Sequence, residues 1–399
     1  MADILTQTIP VGRLGIIAME NILPLAKKVD RYLAEWRAER EAISDENSLH
    51  FTGYQRDSYL ISASVPRFGS GEGKGRINES VRGDDIFIMT DVLNYSLTYR
   101  LCGIENHMSP DDHYQDVKRI IGAIQGKAKR VNLIMPFLYE SRQHRRTARE
   151  SLDCAAMLQE LTALGVENIL TFDAHDPRVQ NAIHDKGFED ISCVYQFIKK
   201  LVNETPDLRI DPDHLVVISP DEGGMNRAVM FGNYLAVDVG MFYKRRDYTR
   251  IVNGRNPIVA HEYLGRDLNG KDVLIIDDMI SSGDSMIEVA TELKRRGAAR
   301  IFVAATFGLF TNGVEKFDKA YEEGLIYRVL TTNLTYQKPE LLEREYYYSV
   351  DLSKYIALLI DSLNHDNSIS DLLEPTVRIN RILERHREEL NAQQKNAEA

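Results

Sequence analysis

Apolar residues along the chain follow two patterns that alternate. Over residues 13–42, RLGIIAMENILPLAKKVDRYLAEWRAEREA, apolar positions return every three or four residues with polar residues between them. That period predicts a helical N-terminal extension, kinked or interrupted at Pro24. The polar run AISDENSLHFTGYQRDS that follows reads as a loop or an insertion, near 38–58. SYLISAS and DDIFIMTDV then have the short apolar character of strands, RVNLIMPFL reads as a strand, RESLDCAAMLQELTALG as a helix stopping at Gly165, and ENILTFDAH as a strand again. HLVVISPDEGG, GNYLAVDVGMFYKRR and KDVLIIDDMISSGDSMIEVATELKRRGAARIFVAATFG repeat the alternation. Near-continuous Val, Ile and Leu strands alternating with helices predict an α/β protein with mainly parallel sheets flanked by helices. Two such runs, roughly 60–190 and 214–350, predict tandem domains at 1–195 and 196–350. A helix at 351–373 is expected to return to the first domain, followed by a charged helical or disordered tail over 374–399.

Composition narrows the class. A length of 399 residues suits two domains, and 49 Lys and Arg against 60 Asp and Glu give a net charge of −11. That balance argues against a nucleic-acid partner, although local basic patches remain compatible with it. The three cysteines, Cys102, Cys154 and Cys193, form no CxxC, which argues against a zinc ribbon or redox pair. They are expected to be buried or partly buried free thiols in a reducing compartment. With neither a basic-then-apolar leader nor a membrane-length apolar run in view, the expectation is a cytoplasmic protein without a membrane partner.

The richest chemistry lies in VLIIDDMISSGDS, residues 273–285. An apolar strand ends in Asp277 and Asp278, and a Ser/Gly turn then opens a helix. In an open α/β sheet, ligands sit beyond the carboxyl ends of the strands. Backbone N–H groups from Ser281 to Ser285, with the Ser282 and Ser285 hydroxyls, suit a phosphate at a helix N-terminus, and Gly283 allows the close approach. Carboxylates accept hydrogen bonds from sugar hydroxyls, so the pair followed by the turn fits a pentose phosphate; the alternative is that the acids only cap the next helix. Asp284 inside the turn should repel a phosphate unless its side chain points away. Arg142, Arg145, Arg146 and Arg149 form a basic run suited to a polyphosphate. Lys244 and Arg246, two apart, share a face if their segment is extended, the alternative being a solvated basic cluster with Arg245 and Arg250. His175 follows the strand NILTF and so sits at the carboxyl edge where function is expected, the alternative being a structural histidine.

Residues 273–285 resemble the phosphoribosyl-pyrophosphate binding motif of the phosphoribosyltransferase fold, and from about residue 60 to 373 the chain resembles the ribose-phosphate diphosphokinase family. The resemblance implies two tandem domains of that fold and transfer of the diphosphoryl group of ATP to the 1-hydroxyl of ribose 5-phosphate, with Mg²⁺. RFGSGEGKGRINESVRGDDIFIM resembles the family's loop contacting the adenine of a neighbouring subunit, which implies Phe68 and Glu72 at the nucleotide. SRQHRR resembles the ATP segment, implying Arg142, Gln143 and His144. FDAH and VVISPDEGG resemble metal-associated segments, implying His175 and Asp221, and YKRR resembles the start of the catalytic loop, implying Lys244 and Arg246 in catalysis. Asp277, Asp278, Ser281, Ser282, Gly283 and Ser285 are implied to hold ribose 5-phosphate. The family also implies a homo-oligomer, often a hexamer. This chain departs from the family pattern at Ser70 and His144, where Asp is usual, at Ser281, where many members have Asp, and at Asp284, where Gly is usual; the stretch between Lys244 and Asp277 is longer than is common. Two other readings share these residues: a non-catalytic homologue that regulates a true synthetase, and a phosphoribosyltransferase.

Overall fold

The computed structural model describes residues 8–43, 51–246 and 258–398, which divide into two compact α/β units. The first runs to Ser192 and takes in Asn333–Tyr336 and Asp351–Glu374; the second comprises Cys193–Thr332, Gln337–Val350 and the chain from Pro375.

The first unit holds five parallel strands in sequential order: β1 (Leu14–Ala18), β2 (Asp85–Met89), β3 (Arg130–Ile134), β4 (Asn168–Phe172) and β5 (Gly187–Ile191). Its helices include α1 (Leu23–Ile43), α2 (Pro110–Ile124) and α3 (Asp153–Ala163). β1 and α1 replace the single helix expected over 13–42. The run LGIIA is almost wholly buried and pairs with β2 along its length, a context in which a short apolar run makes a strand whatever its period. Pro24 does not kink α1, because it sits in the first turn, where its missing N–H costs no helical hydrogen bond. α2 is opened by a capping box, Ser109 accepting from the Asp112 N–H and Asp112 accepting in return from the Ser109 N–H. Helix Ser353–Asn364 packs on α1, where the buried Arg37 guanidinium donates to Asp361 Oδ1 from Nε (3.1 Å) and from a terminal nitrogen (3.0 Å). Removing one partner of so buried a pair costs about 3–5 kcal/mol.

The second unit has seven strands in the order β8-β7-β6-β9-β10-β11-β12: β6 (Leu215–Ser219), β7 (Asp238–Arg246), β8 (Ile258–Leu264), β9 (Asp272–Ile280), β10 (Ile301–Gly308), β11 (Arg328–Thr332) and β12 (Tyr347–Val350). All pairs are parallel except β7 with β8. Its helices include α4 (Val194–Glu204), α5 (Met225–Leu235), α6 (Asp284–Arg295) and α7 (Glu315–Glu322). Every residue of β10 is buried, as a central parallel strand covered on both faces requires. The chain passes from β6 to β7 on one side, whereas β9 lies on the other side of β6, so the strand order reverses at β6. Helix Thr376–Glu398 is packed rather than fully solvated: Ile379, Ile382 and Leu383 are buried at helical spacing, and His386 Nε2 lies 2.7 Å from the Leu208 carbonyl. Cys154 and Cys193 are buried, but Cys102 is exposed. Among the described residues no helix is long and apolar enough to cross a membrane.

Candidate active site

In the second unit, strand register brings the chemically interesting segments to one edge. Ser219 lies opposite Met241 of β7, and Ile218 opposite Ile275 of β9. Asp221, just past β6, and Lys244 and Asp277, in the stretches of β7 and β9 that run beyond their last pairing with β6, therefore sit at the same edge of three adjacent parallel strands, which are spaced about 4.8 Å apart. This edge lies at the reversal of strand order around β6, where open α/β sheets bind ligands. β9 outruns β6: its pairing with β10 continues to Ile280 opposite Gly308. The backbone of Asp277 and Asp278 is thus held by β10 on one side, past the last pairing with β6 on the other.

The two carboxylates differ. Asp278 is buried and Asp277 half-buried, and the Asp278 N–H donates to Asp277 Oδ1 at 2.8 Å. Burial, and then the neighbouring Asp278 charge, push the Asp277 carboxyl up to about 8. Hydroxyl donors or a cation placed at this point would favour the ionised form.

The turn after β9 is fixed from several directions. The Leu309 N–H donates to the Ile280 carbonyl (2.9 Å) and the Thr311 N–H to the Ser281 carbonyl (3.0 Å). Gly283 has φ +84°, and a Cβ there would come within 2.7 Å of Phe317 Cζ, so both conformation and packing demand glycine. Asp284 starts α6, and its carboxylate is turned to Lys316 of α7 and accepts from the Ser282 hydroxyl at 3.0 Å. The bond to Lys316, followed by that to Ser282, holds the Asp284 carboxyl below the usual range. The repulsion expected from an acid in this turn is therefore offset by a lysine 32 residues away. Ser281 and Ser285 are exposed on the turn, and the Ser282 hydroxyl is engaged with Asp284.

Asp221 also shapes its own loop. Its Oδ1 accepts from the N–H groups of Gly223 (2.9 Å) and Gly224 (3.3 Å) ahead of α5. β7 carries Lys244 and Arg246 two residues apart in a continuous extended backbone, and the register shift opposite Arg245 and Arg246, where Ala260 is followed by Ile258, puts the extra residue on β8 rather than β7. The side chains of Lys244 and Arg246 lie outside the described residues.

The first unit presents three segments. Phe68 and Glu72 close one tight turn, with the Phe68 N–H donating to the Glu72 carbonyl (2.8 Å) and the Ser70 hydroxyl to Glu72 Oε2 (2.8 Å). Phe68 is 56% exposed. An antiparallel hairpin, Thr98–Leu101 with Ile104–His107, braces this turn: the Cys102 N–H points to the Gly69 carbonyl (3.4 Å), Leu101 lies over Gly71, and the Arg67 guanidinium sits 5.1 Å from the centre of the Tyr99 ring. Beyond β3, Arg142, Arg145, Arg146 and Arg149 are all exposed, and among the described residues none is in an ion pair. Gln143 is tied to its own loop, donating to the Ser151 carbonyl at 2.8 Å.

Beyond β4, His175 is exposed, and its ring lies 5.5 Å from that of His144. His144 Nε2 is 3.4 Å from Asp176 Oδ2, and Asp176 is gripped by Arg178, whose hydrogen bonds hold its carboxyl down at about 2. Asp176, Arg178 and Lys316 were not singled out in the sequence. The run His-Asp-Pro-Arg at 175–178, an Asp before a Pro-led turn, carried a local signal for the first two; Lys316 had none.

Among the described residues no three His, Cys, Asp or Glu side chains cluster as a metal cage. The oxygen donors Asp221, Asp277 and Asp278 fit Mg²⁺ in the manner that ion favours, through one or two carboxylates with substrate phosphates and water. His175, a nitrogen donor, does not fit a direct bond.

Residues 14–165 match the family described as the N-terminal domain of ribose phosphate pyrophosphokinase, and residues 187–340 match the phosphoribosyl transferase domain. The chain is 30% identical over 315 residues to a ribose-phosphate pyrophosphokinase of Vibrio parahaemolyticus, covering 78% of this chain and 90% of the relative. It is 29% identical over 317 residues to that of Pasteurella multocida, with the same coverage. A crystal structure of phosphoribosylpyrophosphate synthetase from Mycobacterium smegmatis shares the fold, with a TM-score of 0.69 and 20% identity over 89% of this chain and 100% of the other.

Proposed function

The chain belongs to the ribose-phosphate pyrophosphokinase family, and on that premise we propose that it transfers the diphosphoryl group of ATP to the 1-hydroxyl of ribose 5-phosphate, releasing AMP. The observation that carries this reading is the sequence of groups leaving β9: an acidic pair suited to ribose hydroxyls, then a rigid turn at the start of a twelve-residue helix suited to the 5-phosphate. Asp277 and Asp278 hold the 2- and 3-hydroxyls and fix the sugar's orientation. The backbone of Ser281–Ser285 holds the phosphate, with Lys316 keeping Asp284 from opposing it.

Diphosphoryl transfer asks for alignment and charge neutralisation more than for proton chemistry. Arg142 and its exposed neighbours bind the triphosphate, Gln143 and His144 shape the nucleotide pocket, and Phe68 with Glu72 contacts the adenine of a neighbouring subunit in a homo-oligomer, for which the exposure of Phe68 provides the means. Asp221, with the acidic pair of β9, would hold Mg²⁺ together with the substrate phosphates, and the ion would supply charge neutralisation there; His175 is left to contact a phosphate or water. Lys244 and Arg246 stabilise the charge that develops on the transferred and departing groups. Incubation with ATP, Mg²⁺ and ribose 5-phosphate should yield AMP and phosphoribosyl pyrophosphate in equal amounts by ion-exchange chromatography. ADP as the only nucleotide product, or no turnover, would refute the proposal. The Lys244→Ala variant should lose turnover and still bind ribose 5-phosphate.

A further inference from the structure

Arg142, the first of the exposed arginines beyond β3, stands three residues after a ring that is built into the first unit. Tyr139 stacks on Tyr114 of α2, with ring centres 4.5 Å apart and planes at 13°, and its hydroxyl donates to Asp111 Oδ1 at 2.7 Å. Burial, and then the bond to Asp111, raise that hydroxyl above its ordinary range, so it stays a donor at neutral pH. The Tyr139 N–H points to the sulfur of the buried Met135 at 3.3 Å, tying the backbone to the end of β3. Tyr114 is itself fixed: it is buried, its hydroxyl donates to Glu160 Oε2 of α3 at 2.6 Å, and Lys118 Nζ lies 4.9 Å from its ring centre. The stack therefore joins the chain after β3 to a platform formed by two helices.

Past Tyr139 the bonds run mostly within the loop. Glu140 has φ +58°, a left-handed conformation that a non-glycine residue keeps when its surroundings over-determine it. The Ser141 N–H donates to the Leu138 carbonyl (3.0 Å), the Gln143 N–H to the Glu140 carbonyl (2.9 Å) and the Gln143 side chain to the Ser151 carbonyl (2.8 Å). These bonds shape the segment without placing it against the helices. The approach of His144 to Asp176, at 3.4 Å, is longer than a good hydrogen bond. Four exposed arginines of like charge gain freedom by loosening, so an anchor has to supply the order that an anion would otherwise have to impose.

We propose that Tyr139 is a positioning residue for nucleotide binding: its stack on Tyr114 and its bond to Asp111 hold the segment 142–149 in place before a triphosphate arrives. The inference rests on the triphosphate role given above to Arg142 and its neighbours, and it adds the group that makes their placement independent of the ligand. Tyr139 acts through that segment, by removing part of the ordering cost from the binding step.

The test uses the full chain with Tyr139→Ala and with Tyr139→Phe, which keeps the stack and loses only the bond to Asp111. Brief trypsin digestion with mass spectrometry reads cleavage after Arg142, Arg145, Arg146 and Arg149, which follows local opening of the segment. Calorimetry reads the affinity of α,β-methylene-ATP, whose α–β bridge cannot be cleaved, with Mg²⁺ and ribose 5-phosphate present, and separately the affinity of ribose 5-phosphate. Tyr139→Ala should speed cleavage at these arginines and weaken the analogue, each roughly tenfold, with ribose 5-phosphate affinity unchanged. Tyr139→Phe should recover most of the loss, leaving about a threefold effect on each readout at a melting temperature near that of the wild type. A merely structural role would lower the melting temperature and weaken both ligands together, or neither. Either pattern would overturn the proposal, as would wild-type cleavage in Tyr139→Ala or unchanged readouts in Tyr139→Phe. A wild type that binds no analogue would refute the activity assigned above and this inference with it; a wild type and a Tyr139→Ala that bind the analogue equally would refute this inference alone.

Discussion

Gly283 is where conformation, packing and ligand binding converge, and Gly283→Ala puts all three at risk. At φ +84° an alanine pays the left-handed penalty of about 1–2 kcal/mol. Its Cβ would also lie within 2.7 Å of Phe317 Cζ, whereas carbon atoms rest at about 3.5–4.0 Å. Phe317 cannot easily retreat, because it is fully buried and meets Phe310 edge-on, with ring centres 5.1 Å apart. Overpacking of this kind adds about 1–3 kcal/mol, for a combined cost of about 2–5 kcal/mol. For a unit of this size the melting temperature should fall by roughly 4–20 °C, unless the turn yields first. If it yields, the loss moves to ribose 5-phosphate, whose KM should rise with little thermal change. Thermal melts and KM should be measured on Gly283→Ala and on Gly283→Ala with Phe317→Leu. The second change relieves crowding but not the backbone conformation, so it should recover only part of the loss that the first causes. A Gly283→Ala protein with wild-type melting temperature and wild-type KM would refute the reasoning.

Lys316→Met should leave the Asp284 carboxylate uncompensated and raise the KM for ribose 5-phosphate roughly three- to tenfold, and adding Asp284→Asn should restore it; a double variant as impaired as the single one would contradict the charge argument. Asp91 is buried beneath the segment 333–336, accepting from the Tyr336 N–H (2.8 Å), the Leu93 N–H (3.0 Å) and the Thr335 hydroxyl (3.1 Å), and burial pushes its carboxyl up to about 7. Its folded value exceeds the unfolded one, so the stability it confers is fullest below about pH 4 and declines as pH rises towards 7. Asp91→Asn should therefore improve relative to wild type between pH 5 and pH 7.5 in thermal melts; an equal difference at both values would count against this. Leu101→Ala, which loosens the brace over Gly71, should raise the KM for ATP severalfold and leave kcat unchanged, whereas a merely structural role would lower the melting temperature with KM intact.

The legible parts of the site are those in which cause and consequence are neighbours in sequence. Asp277 to Ser285 could be read as a strand end, an acidic pair and a Gly-containing turn because all three lie within nine residues. Where the reading stopped short, a distant partner decided the outcome. Asp284 was expected to repel a phosphate unless its side chain points away; it turns to Lys316 of α7, and nothing near Asp284 announces that lysine. His144, read as a lost carboxylate, is drawn towards Asp176 from the next strand end. Residues 14–18 have a composition open to helix or strand, and pairing with β2 determined which. The bulge in β8 opposite Arg245 and Arg246 is invisible in composition, since it arises from the register between the two strands. The stripe of Ile379, Ile382 and Leu383 was present in the tail, but its dense charge concealed that one face is packed.

The central claim is transfer of the β- and γ-phosphoryls together, and ATP labelled with ³²P at the β-position tests it most directly. With ribose 5-phosphate and Mg²⁺ present, the label should leave the nucleotide pool entirely and appear in phosphoribosyl pyrophosphate, with unlabelled AMP formed in equal amount. Label retained in ADP would mean transfer of the γ-phosphoryl alone, and label retained in ATP would mean no transfer; either result would contradict the account.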